Sequence, residues 1–184
     1  MQVSSSKTIT LVLGGARSGK SHFAQDMVTG YGRVAFIATA EALDDEMRQR
    51  IARHREERPA TWTTLEAPLA VEDAILQCSG NFDIVLVDCL TLWTSNLMAA
   101  EDSDRERIFV RAARLCDALR QSTSSVVLVS NEVGSGIVPE NDAARLYRDL
   151  LGGVNQQVAS VADRVLLLVA GYPLMVKDSV AGRL

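Results

Sequence analysis

The chain has 184 residues, enough for one domain whose core needs neither disulfides nor a structural metal. It is 47% hydrophobic and 23% charged, and its net charge of -4 gives the whole molecule no electrostatic reason to bind nucleic acid. Cys78, Cys89 and Cys116 are odd in number and show no CxxC spacing, which argues for a reducing, cytoplasmic setting over a disulfide frame or zinc site. No apolar signal core follows the polar lead Met1–Lys7, and no apolar run is long enough to span a bilayer.

The first expected strand, Ile9–Leu13, runs straight into Gly14-Gly15-Ala16-Arg17-Ser18-Gly19-Lys20-Ser21, a complete match to G-x-x-x-x-G-K-[ST]. A helix over Ser21–Val28 follows, so the motif has the strand-to-helix context it requires. Glycines let the backbone curl until successive N–H groups point at phosphate oxygens, and the helix N-terminus adds positive charge there. Lys20 is expected to reach the β and γ phosphates, and the Ser21 hydroxyl to complete the coordination of Mg²⁺. His22, next along, is expected to pack or cap.

A second strand, Val34–Ala38, leads through the polar residues Thr39–Asp45 into a helix over Leu43–Arg55. On that helix Leu43, Met47 and Ile51 form an apolar stripe, and His54 continues the same inward side. Arg48, Arg50, Arg53, Arg55 and Arg58 surround it, and Pro59 closes the segment. A weaker strand is expected at Trp62–Leu65 and a helix at Leu69–Gln77, with Pro68 in a first-turn position. Ile84–Val87 reads as a buried strand ending in Asp88. A carboxylate there either holds the magnesium of a P-loop enzyme or caps the next turn. Further on come a helix over Asp104–Arg120 capped by Asp104, a strand Val126–Val129 and a loop Ser130–Glu140. The loop carries Asn131-Glu132, Gly134, Gly136 and Pro139. A helix Asn141–Ala162, a strand Val165–Val169 and a loop Ala170–Pro173 complete the order.

Apolar strands without polar alternation, separated by charged helices, describe a parallel sheet covered on both faces. The expected fold is α/β: a single-domain P-loop NTPase over residues 1–184, with a mostly parallel sheet flanked by helices, RecA-like. Ligands of such sheets lie beyond the carboxyl ends of the strands, which brings the polar loops to one edge.

His54 has two readings. A neutral imidazole attacks an α-phosphate well, and flanking guanidinium groups disfavour imidazolium and stabilise the transferred charge. A histidine near a helix C-terminus is, from the pattern alone, more ordinarily a cap, and an arginine-rich helix face is ordinarily solvated. For phosphoryl transfer to a hydroxyl, Asp88 and Glu132 are the carboxylates placed to act as base, Glu132 equally reading as a loop anchor.

These residues also carry a resemblance. GGARSGKS (Gly14–Ser21), IATAEALDDEM (Ile37–Met47), RIARHREERPATW (Arg50–Trp62), VLVDCLTLWTSNL (Val85–Leu97), NEVGSGIVPEN (Asn131–Asn141) and RDLLGGVNQQVASVAD (Arg148–Asp163) occur in order. Together they resemble the bifunctional adenosylcobinamide kinase/adenosylcobinamide-phosphate guanylyltransferase family of cobalamin biosynthesis, over nearly the whole chain. The resemblance implies that ATP or GTP phosphorylates adenosylcobinamide. It implies next that GTP guanylylates His54 and that the GMP passes to adenosylcobinamide phosphate, giving adenosylcobinamide-GDP. The family's guanylylated histidine falls on His54; Lys20, from the P-loop motif, and Glu132, from its place at the strand ends, are the other catalytic candidates. Nucleotide contacts fall on Gly14 to Ser21, Thr39, Ala40, Glu41, Arg55, Glu56, Glu57, Arg58, Glu66 and Asp88, with Ser21 and Asp88 on the metal. It also implies a homotrimer. The alternatives are a single-activity small-molecule kinase with no covalent nucleotide, and a regulatory GTPase, against which stands the lack of an NKxD sequence.

Overall fold

Six strands run parallel: five are short runs rich in Val, Ile or Leu whose faces neighbouring segments cover, and the third in chain order is a largely exposed edge strand. They are β1 (Ile9–Gly14), β2 (Val34–Ala38), β3 (Thr63–Glu66), β4 (Ile84–Asp88), β5 (Ser125–Asn131) and β6 (Arg164–Val169). A seventh, β7 (Tyr172–Asp178), pairs antiparallel with β6, and the sheet order is β3-β2-β4-β5-β1-β6-β7. The helices are α1 (Lys20–Val28), α2 (Asp45–Glu56), α3 (Val71–Cys78), α4 (Leu90–Ala100), α5 (Arg105–Gln121) and α6 (Asp142–Val161). The computed structural model describes residues 7–42, 44–56 and 58–180.

The strand pleat divides the core in two. Leu11, Ile37, Val85, Val87 and Leu128 face one side, against buried residues of α3, α4, α5 and α6. Val12, Phe36, Leu86 and Val129 face the other, against Ala24 and Val28 of α1. Alternation along the strands therefore decides which helices each end residue meets. Gly14, Ala38, Asp88 and Asn131 each continue the parity of the α1 side.

The expected strands and helices are present, with ends shifted by a residue or two, and two elements are additions. Helix α4 occupies a stretch expected to be loop, and β7 follows a two-residue turn at Ala170 and Gly171, both of positive φ. Pro68 lies outside α3, which begins at Val71, so it is not a first-turn proline. Asp104 does cap α5, its carboxylate accepting from the N–H groups of Glu106 and Arg107 at 2.9 and 3.1 Å. No described helix is long and apolar enough to cross a membrane.

Helix α4 buries Leu90, Trp93, Thr94 and Leu97, and Trp93 Nε1 donates to the Leu69 carbonyl at 2.9 Å. Leu97→Ala is expected to cost about 2–5 kcal/mol of stability, against about 1 kcal/mol for removing the α5 cap by Asp104→Ala. Urea unfolding followed by circular dichroism measures both, and the order of the two is the outcome that checks the packing.

Candidate active site

The P-loop forms because its small residues allow a turn that side chains would block. A Cβ at Gly14 would lie 2.3 Å from Ser18 Oγ and 3.0 Å from the Leu168 carbonyl. Gly19 has φ +87°, a conformation that side-chain-bearing residues rarely adopt, and its Cβ position is 3.3 Å from Gly171 Cα. The β6–β7 turn thus braces the loop from outside, and the Gly171 N–H donates to the Ser18 carbonyl at 3.0 Å. Lys20 Nζ folds back to the Gly15 carbonyl at 3.1 Å.

Beside the P-loop lies a cleft of about 690 Å³, on the α1 side of the sheet at the carboxyl ends of the strands. Lys20 and Ser21 line it from α1, Ala40 and Glu41 from the loop after β2, and Glu66 from β3. Asp88 enters from β4, Asn131 from β5, and Met47, Ile51, His54, Arg55 and Arg58 from α2 and the residues beyond it. The expectation that His54 continues an inward stripe holds for Met47 and Ile51; Leu43 lies outside the described residues.

Asp88 is the electrostatic centre of this cleft. Burial pushes its carboxyl above the ordinary range, opposed by the charges of His54, Lys20 and Arg58 and by a hydrogen bond with the Ser21 side chain. Two segments distant in sequence, Lys20–Ser21 and His54–Arg58, therefore converge on one carboxylate. The peptide after it, Asp88–Cys89, is cis. Arg58 fixes the end of α2. Its Nε donates to the His54 carbonyl at 2.8 Å, Nη1 donates to Thr64 Oγ1 at 3.3 Å, and the guanidinium sits 3.8 Å from the centre of the Phe36 ring. Arg55 Nη2 donates to Glu66 Oε1 at 2.5 Å, so it pairs across to β3 instead of along its own helix.

Several expected site residues stand elsewhere. Thr39 is wholly buried, its hydroxyl donating to the Cys89 carbonyl and accepting from the Cys89 N–H, both at 2.8 Å, so it supports the floor of the cleft. Glu56 is exposed and Glu57 lies outside the described residues. Glu132 does not line the cleft. Its carboxylate accepts from the Gly134 N–H at 2.5 Å, since the pleat that turns Asn131 toward Asp88 turns the next residue away. His22 neither packs nor caps; it is exposed and faces Asp26 at 3.5 Å.

The sequence reading missed the back wall. From α4, Asn96 Nδ2 donates to the carbonyls of Thr39 and Pro68 at 2.8 and 3.0 Å. Thr91 Oγ1 accepts from the Asn131 N–H at 2.8 Å, and Tyr147 of α6 donates to the Thr91 carbonyl at 3.0 Å. The apolar i, i+3, i+4, i+7 spacing of Leu90, Trp93, Thr94 and Leu97 is the signal that could have found the helix.

The residues fit a magnesium ion that arrives with a nucleotide. Ser21 and Asp88 are already in contact at the phosphate cradle. No group of three His, Cys, Asp or Glu residues suited to a metal occurs among the described residues, as suits an ion that takes most of its ligands from phosphates and water.

Fold and cleft define a P-loop nucleotide-dependent transferase. Among solved structures, an ATPase of the type III secretion system of pathogenic bacteria superposes with a TM-score of 0.58 at 11% identity, covering 95% of this chain and 57% of that one. The RadB recombinase does so with a TM-score of 0.50 at 16% identity, covering 87% and 73%. Both likenesses concern the fold. Residues 10–176 match the family described as cobinamide kinase / cobinamide phosphate guanyltransferase, and the chain belongs to that family. It is 43% identical to the bifunctional adenosylcobalamin biosynthesis protein CobP of Pseudomonas aeruginosa, over 91% of this chain and 96% of the relative. It is 40% identical to CobU of Salmonella typhimurium, described in the same words, over 91% and 98%. Both activities in the family's description agree with the sequence-based expectation, and the single-activity kinase is the less favoured alternative.

Because the folded-state carboxyl of Asp88 is raised above its unfolded value, it stabilises the fold most below the unfolded pKa and loses that contribution as pH rises through the folded one. Asp88→Asn is therefore expected to melt higher than the parent at neutral pH. The gap should close as the buffer is made acidic. Thermal melts from pH 4 to 8 check both, and a variant less stable at every pH would contradict the sign.

Proposed function

We propose that this chain carries out both reactions of its family in the one cleft, phosphorylating adenosylcobinamide and then guanylylating it through His54. The observation that carries the reading is the shared cleft, in which an imidazole on α2 meets the P-loop lysine and serine and the β4 carboxylate. Lys20, with the Gly14–Ser21 amides, holds the β and γ phosphates. Mg²⁺, at Ser21 and Asp88, supplies charge neutralisation on those oxygens.

In guanylyl transfer an imidazole nitrogen of His54 attacks the α-phosphorus of GTP. A P–N bond forms, the P–O bond to the β-phosphate breaks, and pyrophosphate leaves toward the P-loop. The phosphate of adenosylcobinamide phosphate then attacks the same phosphorus, breaking the P–N bond and giving adenosylcobinamide-GDP. Arg58, held against Phe36 and the His54 carbonyl, and Arg55 face the charge that passes through this centre. In the kinase reaction the γ-phosphoryl group of ATP or GTP passes to the aminopropanol hydroxyl. Of the two carboxylates placed to receive its proton, Asp88 is the one in the cleft.

A cytoplasmic homotrimer completes the proposal. Its support in the fold is β7, an edge strand on which Tyr172, Leu174 and Val176 are 79%, 58% and 61% exposed. Such an edge is a template for pairing with another chain.

His54→Ala is expected to abolish covalent GMP after incubation with Mg²⁺ and α-labelled GTP, while keeping kinase activity. Lys20→Ala is expected to lose both. Mass spectrometry of the peptide carrying residue 54 and a phosphorylation assay on adenosylcobinamide read the two outcomes. Acid-labile label persisting in the His54 variant would sink the assignment.

A further inference from the structure

Asn131 ends β5, the strand between β1, which opens into the P-loop, and β4, which ends in Asp88. It is in register with Gly14, and Asp88 is in register with Val129, so Asn131 and Asp88 leave the same face one pleat repeat apart. Its backbone is held from behind: the N–H donates to Thr91 Oγ1 at 2.8 Å, and the carbonyl accepts from Asn155 Nδ2 at 3.0 Å. The side chain takes no part in that clamp. It lines the cleft with Lys20, Ser21 and Asp88, while its Oδ1 is buried and has no hydrogen-bond partner among the described residues. With the acceptor end turned inward, the amide end is what this side chain offers to the cleft. A rigidly mounted, uncharged donor beside a phosphate cradle suits an anion whose charge grows during reaction.

We propose that Asn131 is a catalytic residue of the kinase reaction, its Nδ2 donating to the γ-phosphoryl group as that group is transferred. The proposal rests on the kinase activity assigned to this cleft. In the step, the bond from the acceptor oxygen to the γ-phosphorus forms and the bond from that phosphorus to the β,γ-bridging oxygen breaks. The hydroxyl proton goes to Asp88, and the nucleoside diphosphate departs. In guanylyl transfer the bonds change at the α-phosphorus, where the γ-phosphate is a spectator. Asn131 therefore contributes to the chemistry of one reaction and only to binding in the other.

Asn131→Ala and Asn131→Asp separate this role from a structural one, because both leave the backbone clamp in place. Three readouts are taken on folded protein, judged by its melting temperature. They are kcat for phosphorylation of adenosylcobinamide, GMP retained on His54, and affinity for a non-hydrolysable ATP analogue relative to ADP. The alanine variant should lose about 100-fold in kinase kcat. The isosteric aspartate, which sets an anion against the phosphate, should lose more. Both should narrow the preference for triphosphate over diphosphate, and at saturating GTP the loss in GMP labelling should be far smaller than the loss in kinase kcat. An aspartate variant milder than the alanine, or kinase and labelling falling together, marks a space-filling role and overturns the proposal. If the parent itself phosphorylates no adenosylcobinamide, the functional reading fails, and an unchanged triphosphate preference in the variants then overturns this one separately.

Discussion

A carboxylate driven into the sheet edge governs the site. Asp88 sits where β4 leaves the core, and its burial is unfavourable to its charged form. What offsets the penalty is the Ser21 side chain and the charges of Lys20, His54 and Arg58. Ser21 and Lys20 belong to the phosphate cradle, His54 is the proposed nucleophile, and Arg58 anchors the helix that carries it. Without nucleotide these groups lean on Asp88. Phosphate oxygens offer Lys20 and Arg58 stronger anionic partners, so nucleotide binding exchanges one set of charge contacts for another and needs little new construction.

The cleft has one stiff wall and one light one. Behind it, α4 is buried on its core face and ties the strand ends together: Thr91 bonds the backbone of Asn131, Trp93 and Asn96 that of the Pro68–Leu69 loop, and Asn96 also that of Thr39. Burial raises the Tyr147 phenol and pushes the Cys89 thiol up to about 11, so both stay neutral and add no anion to compete with phosphate. In front, no described residue of α2 is fully buried. Its attachments are peripheral, namely Arg58 on Phe36 and Thr64, and the pair Arg55–Glu66, both of whose side chains are more than half exposed. Few buried contacts mean a small cost for local displacement. The proposed nucleophile is thus carried by an element with few buried attachments.

What the sequence made legible was local. The P-loop is contiguous, and its glycines answer to contacts a few residues away. The parallel strands announce themselves as apolar runs, and Asp88 as the polar residue that ends one. Helix α4 was hidden because it follows β4 after a single residue and is apolar on more than one side, so it reads as strand overflow and loop. Strand β7 was hidden because Tyr172, Pro173, Leu174, Met175 and Val176 are exposed together, which defeats any argument from alternation. Glu132 was singled out in the sequence, whereas its neighbour Asn131 is the residue that lines the cleft. Charge made the glutamate conspicuous, but the pleat, inherited from Val127 and Val129, gives the cleft to the asparagine.

Two chemistries in one cradle require that two phosphorus atoms of a bound triphosphate be addressed from different directions. The sheet edge and the P-loop supply Lys20, Ser21, Asp88 and Asn131, which line the cleft together and, in the proposed mechanism, face the β and γ phosphates. The α2 side supplies His54, Arg55 and Arg58, set over β2 and β3 through Phe36, Thr64 and Glu66. On the proposed mechanism, the α-phosphorus, farther from the lysine, is the one the imidazole addresses. A histidine mounted on the sheet edge would compete with the acceptor hydroxyl for the γ-phosphorus and trap the wrong group. Mounting it on a separate, lightly held helix keeps the nucleophile apart from the kinase reaction while letting both reactions use the same lysine and the same metal position.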